Sequence, residues 1–285
     1  MNRILTPILL LLAFGNIFAC EPADNENERQ FLTLVDKVEQ SAPKTADEGM
    51  IAFANAMLGT EYAGGTLEGD KEKLIIHFDR TDCILFVESA VAFTETFFSE
   101  NRTYADYERN VQELRYRNGK ITDYTSRIHY TSEWLKQAEK NGTLKEITAD
   151  ICRELGIGTY QENISFMSEN SNLYPALAQH PEMVPAIRKV ESELNRDTYY
   201  VIPKERIARA SHLIRNGDII AFNTRIKGLD ISHVGIAWWD HGKLTFIHAS
   251  SAKKKVIVNE KPLSDYCNAS RNCDGIRVAR VIEQK

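Results

Sequence analysis

Past its first twenty residues the chain contains no apolar run long enough to cross a bilayer, which leaves no candidate for an internal membrane span. It has no excess of basic charge. Its 35 Lys and Arg face 40 Asp and Glu, and the net charge of −5 supplies no footprint for nucleic acid. Neither paired-cysteine spacing nor a His-x-x-x-His pattern occurs, so a zinc centre finds no ligand framework, and no metal or cofactor is expected. Internal repeats and low-complexity tracts are missing as well. Cysteine is scarce, with five residues at positions 20, 83, 152, 267 and 273. Apolar material is not scarce: 43% of the residues are hydrophobic, enough for a substantial core.

The first segment reads as a targeting sequence. Arg3 gives a short positive start, and residues 4–14 are almost entirely apolar yet too short to span a membrane, as in a signal peptide over residues 1–19. The stretch closes on Ile17-Phe18-Ala19-Cys20, which is similar to a bacterial lipobox. Cys20 is then the acylated first residue of the mature chain, with ordinary cleavage after Ala19 as the alternative. Residues 20–29 are polar and acidic and read as a flexible tether. The expected protein is exported to the cell envelope, facing the periplasm or cell surface. It is monomeric and meets the membrane only through that N-terminal lipid.

Beyond Cys20, the cysteines divide by context. Cys267 and Cys273 are close enough in sequence to bridge in an oxidising compartment. Cys152, in the apolar-rich residues 147–155, reads as a buried structural thiol. Cys83 differs from both. Phe86, Ala90, Phe93 and Phe97 recur at helical spacing, so Cys83 occupies the first turn of a helix entered through Thr81-Asp82. Helical patterns also cover residues 28–40 and 46–58, and residues 73–78 read as a strand. Residues 100–212 are mostly helix and loop, rich in tyrosine and charge. Short strands follow at 218–222, 232–239, 244–249, 255–258 and 275–281. Helices first and a compact set of strands last is an α+β pattern.

A cysteine at a helix N-terminus is placed where unpaired N–H groups and the helix dipole favour the nucleophilic thiolate. Such a nucleophile needs an imidazole from elsewhere in the fold and a third group to orient it. Along Ser232-His233-Val234-Gly235-Ile236-Ala237-Trp238, one face carries Val234, Ile236 and Trp238. The other carries His233 beside Gly235 and Ala237, as expected if a helix end or substrate lies close against the strand. A two-residue hairpin loop at His241-Gly242 sets His248 opposite Gly235, on the face of His233 and diagonal to it. A three-residue loop reverses that parity. Taken singly, Cys83 is more simply a buried thiol, and His233 or His248 a structural histidine; the combination carries the catalytic reading.

The same residues carry a resemblance. Asp82-Cys83 with Phe86, then Gly217-Asp218-Ile219-Ile220-Ala221-Phe222, Ser232-His233-Val234-Gly235-Ile236 and Ile247-His248-Ala249-Ser250, resemble the ordered motifs of the NlpC-type papain-like cysteine peptidases of cell walls. The resemblance implies Cys83 as nucleophile, His233 as base and His248 as orienting residue. It also implies a papain-like core with the nucleophile at a helix N-terminus, packed on a small antiparallel sheet or barrel. Tyr62, in Gly59-Thr60-Glu61-Tyr62-Ala63-Gly64, is similar to the tyrosine that assists the oxyanion site there.

Further motifs are similar to the N-acetylmuramoyl-L-alanine amidase-like branch. These are residues 62–68, Arg127-Ile128-His129-Tyr130 with Trp134, Ser165-Phe166-Met167-Ser168, Tyr174-Pro175-Ala176-Leu177, Ile202-Pro203-Lys204 and residues 228–233. Ile84-Leu85 departs from the small polar residues usual after the cysteine, and His77 replaces an asparagine. The branch implies hydrolysis between muramic acid and L-Ala, with anhydro-muropeptides, fragments of peptidoglycan, as substrate partners. It places residues 30–285 in one catalytic domain with an insertion at about 100–212. Asp82, Arg127, His129 and Ser232 are the candidate substrate-binding residues. Arg127, His129, Tyr130 and Trp134 read equally as a packed helix face, with Trp134 or Tyr130 otherwise stacking on a sugar or walling off the cleft. Two other functions fit the sequence: a γ-D-glutamyl-diamino acid endopeptidase with the same triad, and a non-catalytic muropeptide-binding lipoprotein.

Overall fold

The computed structural model describes residues 26–283. The signal peptide over 1–19, Cys20 and the first part of the tether lie outside the described residues. Residues 26–29 correct the tether boundary, because the first helix, α1 (Glu26–Glu39), already includes them. Glu26 and Glu28 suit the positive end of a helix, and Phe31, Leu34 and Val38 bury one stripe of it. Then follow α2 (Ala46–Ala56), β1 (Glu61–Tyr62), β2 (Arg80–Thr81), α3 (Cys83–Phe97), α4 (Tyr104–Arg115) and α5 (Thr131–Lys140). Next are β3 (Leu144–Glu146), α6 (Thr148–Leu155), α7 (Phe166–Glu169), α8 (Pro175–Gln179), α9 (Val184–Leu194), β4 (Ile202–Pro203) and α10 (Ile207–Ala210). The chain closes with β5 (Ile219–Thr224), β6 (Ile231–Asp240), β7 (Lys243–Ser250), β8 (Lys255–Val258), α11 (Leu263–Ala269) and β9 (Cys273–Val281). This is an α+β architecture.

Among the described residues one nine-stranded sheet runs in the order β2-β1-β8-β7-β6-β5-β9-β3, with β4 also on β9. It is antiparallel except where β1 lies parallel to β2. The expected strand at residues 73–78 does not form. Its carbonyls are taken by side chains instead of a ladder: Tyr116 donates to Lys73 O at 2.9 Å, Asn27 to Ile76 O at 3.2 Å, and Arg115 to Ile75 O.

The sheet is covered on both faces. Ile219, Ala221, Val234, Ile236, Ile247 and Ala249 pack with Phe53, Phe86 and Phe93 of α2 and α3. Ile220, Phe222, Ala237, Phe246, Ile276 and Val278 form a second core with Ile151, Ile207, Leu263 and Cys267. A third cluster, including Tyr124, Tyr130, Ile164, Met167 and Leu194, lies within residues 100–212. That stretch also contributes Tyr107 and Trp134 to the first core and Ile147 and Ile151 to the second. Among the described residues no helix is long and apolar enough to cross a membrane.

Candidate active site

α3 begins at the candidate nucleophile because Asp82 caps it. The Asp82 Oδ1 accepts the Leu85 N–H at 2.9 Å, while Phe86, Ala90, Phe93 and Phe97 bury the helix as their spacing predicts. Tyr62 comes alongside through backbone pairing. It is in register with Thr81 across the parallel β1–β2 pair, and Ala63 N donates to Thr81 O at 2.9 Å. Sequence distance is therefore no obstacle to its meeting Asp82 and Cys83. Burial, then the neighbouring Cys83 and Asp82, push the Tyr62 phenol up from its ordinary value.

The β6–β7 hairpin has the two-residue loop. Asp240 pairs with Lys243, and His241 and Gly242 both take positive φ (47° and 79°), the conformation a tight hairpin turn demands. The register reaches Ile236 opposite Ile247. One step further puts Gly235 opposite His248, and the His233 Nε2 meets the His248 Nδ1 at 2.7 Å. The small residues beside His233 serve a purpose other than the one expected. A Cβ on Gly235 would stand 2.8 Å from the Phe246 ring and 3.2 Å from the His248 Cβ. Gly235 therefore admits side chains of β7, not a helix end or substrate, because this face of the sheet is itself a packed core.

Cys83, Ser232 and His233 line one cavity of about 210 Å³, with Arg127, His129, Tyr130 and Trp134 on its other walls. Within it, Cys83 is half-buried while His248, outside the lining, is 3% exposed. Burial and the adjacent Asp82 push the Cys83 thiol up to about 12, outweighing hydrogen bonds from the Val234, Ile84 and Cys83 amides. The helix terminus alone therefore does not make a thiolate in the resting protein. Burial pushes His233 down to about 4. It does the same to His248, with His233 adding to the effect, down to about 3. Thiol and imidazole are both neutral at rest.

The other expected binding residues have protein partners. Arg127 donates to Glu68 at 2.9 Å, lies 3.5 Å from Glu72 and sits over the Tyr124 ring. His129 Nε2 is 2.9 Å from Tyr124 O, so that nitrogen carries the proton, and burial with the Arg127 charge holds the ring neutral, down to about 3. Tyr130 donates to Glu191 at 2.7 Å and accepts from Met167 N at 2.9 Å. Trp134 is 3% exposed. Tyr130 and Trp134 therefore wall the cleft and offer no open face to a sugar. Ser232 is exposed at the cavity mouth.

Sequence reasoning missed two features. Glu88, in the cavity wall, pairs with Arg115 at 2.6 Å, both almost fully buried. The two are 27 residues apart, and no local pattern links them. Tyr266 of α11 packs against both His233 and His248. The neighbouring Cys267, bridged to Cys273, was the available signal. Cys152 is buried, as read from the sequence.

Residues 52–276 match the family described as N-acetylmuramoyl-L-alanine amidase-like. An N-acetylmuramoyl-L-alanine amidase from Bacteroides uniformis superposes with a TM-score of 0.78 at 36% identity, covering 83% of this chain and 99% of that one. A Bacteroides fragilis structure named as a candidate xylanase gives 0.75 at 38% identity, covering 80% and 98%. A Legionella pneumophila protein, 21% identical with a TM-score of 0.67 over 90% and 96%, shares the fold. No curated protein matches the chain.

Proposed function

The chain belongs to the N-acetylmuramoyl-L-alanine amidase-like family, and from that premise we propose that it hydrolyses the amide joining N-acetylmuramic acid to L-Ala in peptidoglycan fragments, the 1,6-anhydro form among them. The observation that carries the reading is the 2.7 Å contact of His233 with His248 beside a cavity that Cys83 also lines. In the productive tautomer the His233 Nε2–H donates to His248 Nδ1, which leaves Nδ1 of His233 basic. That nitrogen takes the Cys83 proton as sulfur adds to the lactyl carbonyl. The imidazolium then protonates the L-Ala nitrogen as the C–N bond breaks. Water, deprotonated by the same imidazole, cleaves the thioester and restores the thiol. The Cys83 amide and Tyr62 are the donors proposed for the oxyanion, in a papain-like arrangement of helix terminus and sheet.

A glycosidase reading, suggested by the name of the Bacteroides fragilis relative, would need two working carboxylates astride the cleft. Here Glu88 is tied to Arg115 and Asp82 caps α3.

Incubation with an anhydro-muramoyl tetrapeptide and with the free tetrapeptide, read by mass spectrometry, tests the proposal. Release of the sugar without its peptide is the expected result, and Cys83→Ala and His233→Ala each abolish it. Cleavage after D-Glu in the free peptide would establish the endopeptidase instead, and tight fragment binding without turnover a binding protein. We further propose export and lipid anchoring at Cys20, to be tested by labelled fatty-acid incorporation that Cys20→Ser abolishes. The Cys267–Cys273 bridge supports an oxidising compartment.

A further inference from the structure

The side of the imidazole pair away from α3 is built from rings. Phe222 of β5 lies 5.6 Å from His233 between centroids, and Phe246 of β7 lies 4.6 Å from His248. Tyr266 completes the enclosure from outside the sheet. Its ring stands 5.3 Å from Phe222 and 4.9 Å from Phe246, both edge-on, 6.4 Å from His233 and 6.1 Å from His248. Burial, then the neighbouring Cys83, push its phenol up from the ordinary value. Its hydroxyl makes no hydrogen bond among the described residues, so packing holds the ring there.

α11 cannot hold that ring unaided. It has seven residues, too few for a helix to persist alone. Two anchors keep it down: Leu263, fully buried in the second core, and the bridge from Cys267 to Cys273 at the start of β9, with 5.5 Å between Cα atoms. Tyr266 immediately precedes the bridged cysteine.

We infer that Tyr266 is a positioning residue for the His233–His248 pair: its ring, pinned by the Cys267–Cys273 bridge, covers both imidazoles and keeps water from the hydrogen bond between them. The inference rests on the assignment of these histidines to the reaction. The titratable and charged groups around His233 are Cys83 from α3, His248 from β7, Tyr266 from α11, and, around the cavity, Arg127, His129 and the mutually paired Glu88 and Arg115. Arg127 is paired with carboxylates and His129 is held neutral, so loss of the Tyr266 ring changes hydration and adds no charge.

The test reads the imidazoles directly, by NMR titration of the histidine-labelled mature chain, with His233→Gln and His248→Asn used to assign the signals. Tyr266→Ala is expected to move the His233 midpoint from its depressed value toward the ordinary one near 6.5. It should also lower kcat by roughly 10–100-fold, up to the lower end of what a positioned base contributes, with KM little changed. Tyr266→Phe restores both. C267A/C273A moves the midpoint in the same direction as Tyr266→Ala, by less. Tyr266→Leu disturbs the core less but is too short to cover both imidazoles, so it carries the test if Tyr266→Ala does not fold. An unmoved His233 midpoint in a folded Ala or Leu variant, or a Phe variant that shifts as far as Ala, overturns the inference. Because the titration needs no turnover, a wild-type chain inactive on muropeptides would refute the proposed function and leave this result standing.

Discussion

His233 Nε2 and His248 Nδ1 lie 2.7 Å apart on neighbouring strands, and that contact determines which nitrogen of each ring is left over. On His233 it is Nδ1, the atom proposed to take the thiol proton. On His248 it is Nε2, which is buried and makes no hydrogen bond. A neutral imidazole in the orienting position thus leaves one polar atom unsatisfied, at a cost of about 1–3 kcal/mol.

Activity and stability should therefore separate at His248. His248→Asn, which offers an Oδ1 acceptor to the His233 N–H, is expected to keep activity within about tenfold of wild type. His248→Leu should lose roughly 10²–10³-fold in kcat with little net change in stability, since the unpartnered His248 Nε2 goes with the ring while the His233 Nε2–H loses its acceptor. Kinetics and urea melts on the two variants check this. A Leu variant destabilised by more than about 1–3 kcal/mol, the cost of the orphaned His233 N–H, would mean that the His248 Nε2 is satisfied in the folded chain.

The thiol makes a second prediction. With Cys83 pushed up to about 12 and His233 down to about 4, thiol and base are neutral throughout the range between. Iodoacetamide should alkylate the resting protein slowly at neutral pH, with a rate rising about tenfold per pH unit into the alkaline range. The sign for catalysis follows from the base. As the proposed base, His233 would work only when unprotonated, so kcat/KM is expected to hold as pH falls until it drops through about 4. A fast alkylation plateau from mildly acidic pH upward would show a preformed ion pair and contradict this.

Beneath the site, Glu88 and Arg115 are each almost wholly buried, and Arg115 also donates to the Ile75 carbonyl. Glu88→Ala leaves a buried guanidinium without its counter-charge and should cost about 3–5 kcal/mol. Replacing both by Met should cost less than Glu88→Ala, because only the Ile75 carbonyl is then orphaned. Urea denaturation of single and double variants decides it, and additive losses would mean that the pair is not coupled.

Much of this site was legible because it depends on parity. The turn residues His241-Gly242 set a hairpin whose alternation places His248 on the face of His233, and helical spacing behind Cys83 puts the thiol at a helix end. What escaped lies in long-range packing. Residues 73–78 have strand composition, but their carbonyls are claimed by Arg115, Tyr116 and Asn27, which no local pattern announces. The ring of Tyr266 reaches the histidines only because a bridge and Leu263 hold a short helix in place. The helix terminus favours a Cys83 thiolate, but burial, visible only in the fold, outweighs it.

Arg127 tests the boundary between site and scaffold. The sequence offers Arg127 as a candidate substrate-binding residue. In the fold the guanidinium makes one hydrogen bond, to Glu68 at 2.9 Å, while its Nε lies 3.5 Å from Glu72 without a hydrogen bond, the Tyr124 ring is 4.9 Å away, and only 5% of the residue is exposed. Two carboxylates around one guanidinium leave no net positive charge for an anionic ligand. Arg127→Lys keeps the charge and loses the fork, which should cost about 1–3 kcal/mol. At about 2–4 °C per kcal/mol for a chain of this size, Tm should fall by several degrees. Activity per folded molecule should stay within about threefold, since the lost contacts are to the protein's own carboxylates. Glu68→Gln is the complement. Removing that carboxylate frees part of the guanidinium, and muropeptides with a free carboxylate should then bind more tightly than to wild type. If Arg127→Lys instead loses tenfold or more in kcat/KM at unchanged Tm, Arg127 contacts substrate and its ion pairs open on binding.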